Sequence, residues 1–100
     1  MRVNDQMRRP RVDWMTRADD AILEFLLNEG NQPLIANPST VEANIDYKIS
    51  HVRRRLRALQ DGGLVEYHDK DRGLYQISDQ GRAYLAGKID AEDLEQENES

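Results

Sequence analysis

"YKISHVRRRLRALQ", Tyr47 to Gln60, carries Lys48, Arg53, Arg54, Arg55 and Arg57 and no acid, inside a chain whose formal net charge is -5. Its apolar residues Ile49, Val52, Leu56 and Leu59 recur at the three-to-four spacing of a helix that buries one stripe. At roughly 100° per residue, Tyr47, Ser50, Arg54 and Arg57 fall opposite that stripe, with Lys48, His51, Arg53 and Arg55 on its flanks. "DGG", Asp61 to Gly63, ends the helix. The segment therefore predicts a helix with one core side and one basic, hydrogen-bonding side.

Towards the N-terminus, Thr16 is an N-cap candidate, followed by Asp19 and Asp20 where a helix dipole favours acids. Ala18, Ile22, Phe25, Leu26 and Glu29 keep helical spacing up to Gly30, which predicts a helix from Arg17 to Glu29. "NQPLIANPST" breaks the pattern with two prolines, and only "LIA" within it could form a short strand. After Pro38, a short helix "STVEANI" is expected to start at Ser39 or Thr40, with Val41 and Ile45 inward and "DYK" as a tight turn behind it. Helix, break, helix, turn, basic helix is the order of a helix-turn-helix.

Beyond Gly63 the hydrophobic period changes to two. "LVEYH" and "LYQIS", separated by the polar turn "DKDRG", read as a two-stranded hairpin, a wing directly behind the third helix. Ser78 caps a last helix, "DQGRAYLAGKI", from which Tyr84, Leu85 and Ile89 return to the core. The expected fold is mainly α with a small β-hairpin wing (α+β), a winged helix-turn-helix. Residues 1–13 are expected to form a flexible basic arm, residues 14–89 the domain, and residues 90–100 an acidic tail.

Charge is spread unevenly. The final segment "DAEDLEQENES" holds six acids and no base, so the rest of the chain carries 14 bases against 13 acids. Eleven arginines against three lysines, with 19 acids, resembles the composition of proteins from a high-salt cytoplasm, where acidic surface aids solubility. On that reading the tail serves solvation; the alternative is a segment that competes with the ligand of the basic helix or recruits a partner. The arm, with Arg8, Arg9 and Arg11, could track a nucleic-acid backbone or be a disordered basic tail. Trp14 and Met15 behind it would anchor it either to the domain or to a dimer mate.

Other classes are excluded by what is missing. The chain has no cysteine, hence no disulfide or cysteine-type zinc site. It has no apolar run near the ~20 residues of a membrane span and no apolar stretch of a secretory signal, which leaves a cytoplasmic location. His51 and His68 lie on different elements, and no phosphate loop, nucleophile elbow or paired-carboxylate pattern is present. No enzyme activity, cofactor, metal or small-molecule ligand is expected.

The run "VRRRLRALQDGGLVEYHDKDRGLYQISDQGRAYL" resembles the winged helix-turn-helix of archaeal and bacterial transcription regulators. In these a helix ending in leucine and a glycine-leucine-valine precedes a wing and a "(T/S)-x-x-G-x-x-Y-L" helix start. "DWMTRADDAILEFL" and "GRAYLAGKIDAEDLE", with the tyrosine turn before the third helix, are similar to haloarchaeal phage-repressor-like winged-helix proteins, so the likeness runs from Asp13 to Glu95. It departs at Lys48, where related regulators often have a small polar cap.

The resemblance implies a homodimeric, sequence-specific regulator of double-stranded DNA, a repressor in a halophilic archaeon. It sets Lys48, Ser50, His51, Arg53, Arg54 and Arg57 on the groove side of the recognition helix, where arginine can pair bidentately with guanine. Ser39 and Thr40 would offer a phosphate their hydroxyls and backbone donors, or simply cap their helix. Lys70 and Arg72 would carry the wing tip to the adjacent minor groove or its phosphates, or form a solvated turn balanced by Asp69 and Asp71. Trp14, Met15, Tyr84 and Leu85 are the apolar edge residues expected at a dimer contact. Two readings compete: a winged-helix protein-protein interaction module using the same basic face, and RNA binding, disfavoured because only Tyr47 is an aromatic near that face.

Overall fold

The Thr16 amide donates to Asp19 Oδ2 at 3.0 Å, the returning half of a capping box, at the start of α1, Arg17–Leu27. The computed structural model describes residues 15–88. α1 ends at Leu27 rather than Glu29, because Asn28 adopts left-handed angles (φ 53°, ψ 56°) and donates from its side chain to the Gln32 carbonyl at 2.9 Å. Asparagine tolerates that conformation through such local bonds, so the stop precedes Gly30. Ile22, Leu23 and Leu26 are fully buried, Phe25 packs at the edge of the core, and Glu29, expected inward, is exposed.

The "LIA" stretch forms no strand. Ala36 alone bridges to Tyr75, donating to its carbonyl at 3.0 Å and accepting from its amide at 2.8 Å. α2, Pro38–Asn44, is capped by Asn37, whose Oδ1 accepts from the Thr40 amide at 2.8 Å. Neither Ser39 nor Thr40 is the cap: Pro38, lacking an amide hydrogen, suits the first helical position and moves the cap back to Asn37. Val41 is fully buried and Ile45 packs against the core from the helix end.

α3, Ile49–Asp61, buries Val52, Leu56 and Leu59 completely, whereas Ile49 at its start is only half-buried. Lys48 stands at the N-cap with no side-chain cap bond, as a residue without an acceptor must. The helix leaves through Gly63 at φ 83°, a left-handed conformation that favours glycine.

The wing is an antiparallel hairpin of β1, Val65–Asp69, and β2, Leu74–Ile77, pairing Val65 with Ile77, Glu66 with Gln76, and Tyr67 with Tyr75. The register then slips to Asp69 opposite Leu74, leaving His68 unpaired in a bulge. Ser78 Oγ accepts from the Gly81 amide at 2.9 Å to cap α4, Asp79–Leu85, and donates to the Gly63 carbonyl at 2.6 Å. One hydroxyl thus ties the start of α4 to the end of α3. Four helices and the hairpin, among the described residues, form a winged helix-turn-helix around one core.

Two expected dimer-edge residues belong to that core: Met15 is 7% and Tyr84 1% exposed. Tyr84 was also expected in the core, and Met15 packs there with it. Leu85 packs partly against the same core, while Trp14 and Ile89 lie outside the described residues. No helix among the described residues is long and apolar enough to cross a membrane.

Candidate nucleic-acid interface

Burying Val52, Leu56 and Leu59 forces the opposite side of α3 outward. Lys48, Ser50, Arg53, Arg54 and Arg57 are exposed and His51 is half-buried, so the six groove-side candidates share the accessible side of one helix and its cap. Arg54 Nη2 lies 3.0 Å from His51 Nδ1, and the His51 ring sits 5.6 Å from that of Tyr47, tilted by 34°.

Arg55, a flank residue, is turned inward instead. Its Nε and Nη2 donate to Asp19 Oδ1 and Oδ2, each at 2.7 Å, and the Asp19 side chain is wholly buried. The hydrogen bond to Asp19 raises the guanidinium pKa above its ordinary value, against an opposing effect of burial. Of the five bases in the opening stretch, this one therefore joins α3 to α1, and four remain outward. The signal was available: Arg55 lies only about 70° from the centre of the buried stripe on a helical wheel, and Asp19 is an acid in the first turn of a helix that packs on α3. A search for partners within the basic segment alone could not meet an acid 36 residues away.

On α2, Ser39 and Thr40 are both exposed, yet the Thr40 amide is taken by Asn37 Oδ1 and its carbonyl by Asn44 Nδ2 at 2.8 Å. That amide is therefore not available to a phosphate, and the exposed side chains are what the two residues could offer. Lys70 and Arg72 are exposed in the hairpin turn; the Arg72 amide donates to Asp69 Oδ1 at 3.2 Å, and its guanidinium lies 4.0 Å from the same carboxylate. That distance, at so exposed a site, leaves Arg72 only loosely held. Lys70 and Arg72 sit on the wing, separate from the α3 group.

The wing strands carry an aromatic pair that pattern reading did not single out. Tyr67, 38% exposed, packs its ring 4.8 Å from that of Tyr75, whose hydroxyl donates to the Tyr67 hydroxyl at 3.4 Å. Burial first, then the contact with Tyr67, pushes the Tyr75 phenol up to about 12, while the charge of Arg57 pulls the other way. The signal was the hairpin register, which sets the two tyrosines opposite each other. The basic arm (Arg2, Arg8, Arg9, Arg11) and the acidic segment 90–100 lie outside the described residues.

A family model described as winged helix-turn-helix phage repressor matches residues 7–97. The chain is 36% identical over 87 residues to a protein named "Repressor protein" from Halobacterium phage phiH, covering 85% of this chain and 94% of the relative. Among solved structures it is similar to the PhiH1 repressor-like protein from Haloarcula marismortui, with a TM-score of 0.70 and 38% identity over 85% of this chain and 91% of that one.

Proposed function

The chain belongs to the winged helix-turn-helix phage repressor family, and from that premise we propose that it represses transcription by binding a specific double-stranded DNA sequence. α3 enters the major groove and the wing lies on the adjacent groove or backbone. The observation that carries this reading is the outward side of α3. Lys48, Ser50, Arg53, Arg54 and Arg57 are exposed together, while Arg55, whose partner Asp19 is buried, is withdrawn from the set. A helix about the width of a major groove, basic on the side its core leaves free, fits phosphate attraction and guanine readout at once. The protein works as a homodimer in the cytoplasm, each protomer reading one half-site. Because Met15 and Tyr84 are spent in the core, the dimer contact falls on other residues.

Selection from a pool of random duplexes, with sequencing of the bound fraction across a salt series, tests this for the wild type and Arg54→Ala. An enriched motif that is relaxed in the variant, with a salt slope lower by no more than about one unit, is the expected result. Binding without any enriched sequence would overturn the repressor reading and leave the basic face to protein partners or non-specific contact.

A further inference from the structure

Tyr47, His51 and Arg54 follow one another at four and three residues, the spacings that bring side chains together along a helix and its entry. Two contacts join them: the Tyr47 and His51 rings, centroids 5.6 Å apart, and the 3.0 Å approach of Arg54 Nη2 to His51 Nδ1. Arginine has only donors, so Nδ1 must be the acceptor, and the proton of the neutral imidazole then resides on Nε2. Tyr47 is itself held, half-buried and packed against the core, whereas Arg54 is exposed. Order is thus passed outward from the core through two rings to the tip of one arginine. Neither of its exposed neighbours on this side, Arg53 and Arg57, has such a hydrogen bond among the contacts described.

We propose that Tyr47 and His51 are positioning residues that set the guanidinium of Arg54 for one guanine of the operator, making Arg54 the main specificity determinant of α3. The proposal rests on the DNA-binding reading above and names the residues within it that decide sequence. One Nη2 hydrogen is used by His51. The second Nη2 hydrogen and the Nη1 pair remain for the O6 and N7 acceptors of guanine. His51 is then spent as a support, although its Nε2–H can still meet a neighbouring acceptor. Pre-ordering matters because an exposed arginine loses rotamer freedom when it docks, and a side chain already fixed loses less.

The test has a DNA-free arm and a DNA arm. In the free protein, two-bond nitrogen–proton correlation of the His51 ring should show the Nε2–H tautomer, with the Nδ1 signal shifting in Arg54→Ala. A proton on Nδ1 of the neutral ring, or no response to Arg54→Ala, overturns the relay. In the DNA arm, the preferred duplex is compared with its variant at the position that Arg54→Ala relaxes, for wild type, His51→Ala, Arg54→Ala and the double variant. Arg54→Ala should lose roughly 5- to 150-fold of the preference at that position. His51→Ala should lose roughly 2- to 12-fold at the same position, the cost of immobilising one rotamer-rich side chain, with no further loss in the Arg54→Ala background. Tyr47→Phe, which keeps the ring, should retain more of the preference than Tyr47→Ala, thermal melting confirming that both are folded. Loss at a different base pair in His51→Ala, or additive losses in the double variant, overturns the proposal while leaving the repressor reading intact. A wild type that selects no motif at all overturns both.

Discussion

Replacing Arg55 by methionine keeps the aliphatic stem and removes the only partner seen at both oxygens of the buried Asp19 carboxylate. Two charge-assisted hydrogen bonds of 2.7 Å are lost, and a carboxylate with 0% side-chain exposure keeps the Thr16 amide at 3.0 Å. Breaking a buried ion pair from one side costs on the order of 3–5 kcal/mol. The Thr16 amide and the α1 N-terminus compensate in part, which puts Arg55→Met near the lower end, about 3 kcal/mol. For a domain of this size that corresponds to a fall in Tm of roughly 12–24 °C. Asp19→Asn should cost less, because the guanidinium it leaves behind is 17% exposed and can turn to water. The double variant Asp19→Asn/Arg55→Met should be more stable than Arg55→Met alone, since it removes the Asp19 charge together with its partner. Urea unfolding followed by circular dichroism gives all three values. Repeating it in molar salt should leave the Arg55→Met loss largely in place, because a buried pair is screened little. A loss below about 1 kcal/mol, or one no larger than that of Asp19→Asn, would falsify the view that this pair locks α3 onto α1.

Gly81→Ala should destabilise the fold despite alanine's better helix propensity. A Cβ there would lie 2.2 Å from the Leu64 carbonyl oxygen and 2.7 Å from Ile77 Cγ1, so backbone must move; we expect a loss of about 2 kcal/mol or more in denaturant unfolding. Tyr75, whose phenol is pushed up to about 12 from 10.0, favours the folded state most below pH 10. Between pH 10 and 12 the unfolded chain ionises first, so stability should fall through that window and fall less steeply in Tyr75→Phe, as pH-dependent melting would report. Removing residues 90–100 should leave duplex affinity and base preference unchanged if the acidic segment serves solvation, and tighter binding by the truncated chain in an anisotropy titration would instead show that the segment competes for the basic face.

The outward side of α3 could be read without coordinates because Val52, Leu56 and Leu59 define the inward one; rotation sets Ser50, Arg54 and Arg57 opposite it, while Lys48, His51 and Arg53 joined the candidates through the family resemblance. The same reasoning found Ser78 as a cap and the hairpin between two period-two runs. It went astray where two local rules competed. Gly30 looked like the stop of α1, but Asn28 took the left-handed position first; Ser39 and Thr40 looked like caps, but Pro38 inside the helix moved that role to Asn37. Tyr84, expected both in the core and at a dimer edge, lies in the core, as does Met15, for which the sequence left the domain and a dimer mate open. Their cover comes from other elements.

Periodicity, capping and turn chemistry are properties of a few consecutive residues, so the sequence by itself determined the order of the elements, the buried stripe of each helix and the basic side of α3. Which charges and rings meet across elements depends on how the helices and wing pack, and no local pattern encodes that. Tertiary structure alone decided that Arg55 belongs to Asp19 rather than to the outward face, and that Met15 packs into the domain's own core. It likewise decided that Tyr75 feels the charge of Arg57, a residue of another element. The physical reason is the same in each case: a buried carboxylate, thioether or phenol is stable only where packing supplies its partner, and that partner may come from any part of the chain.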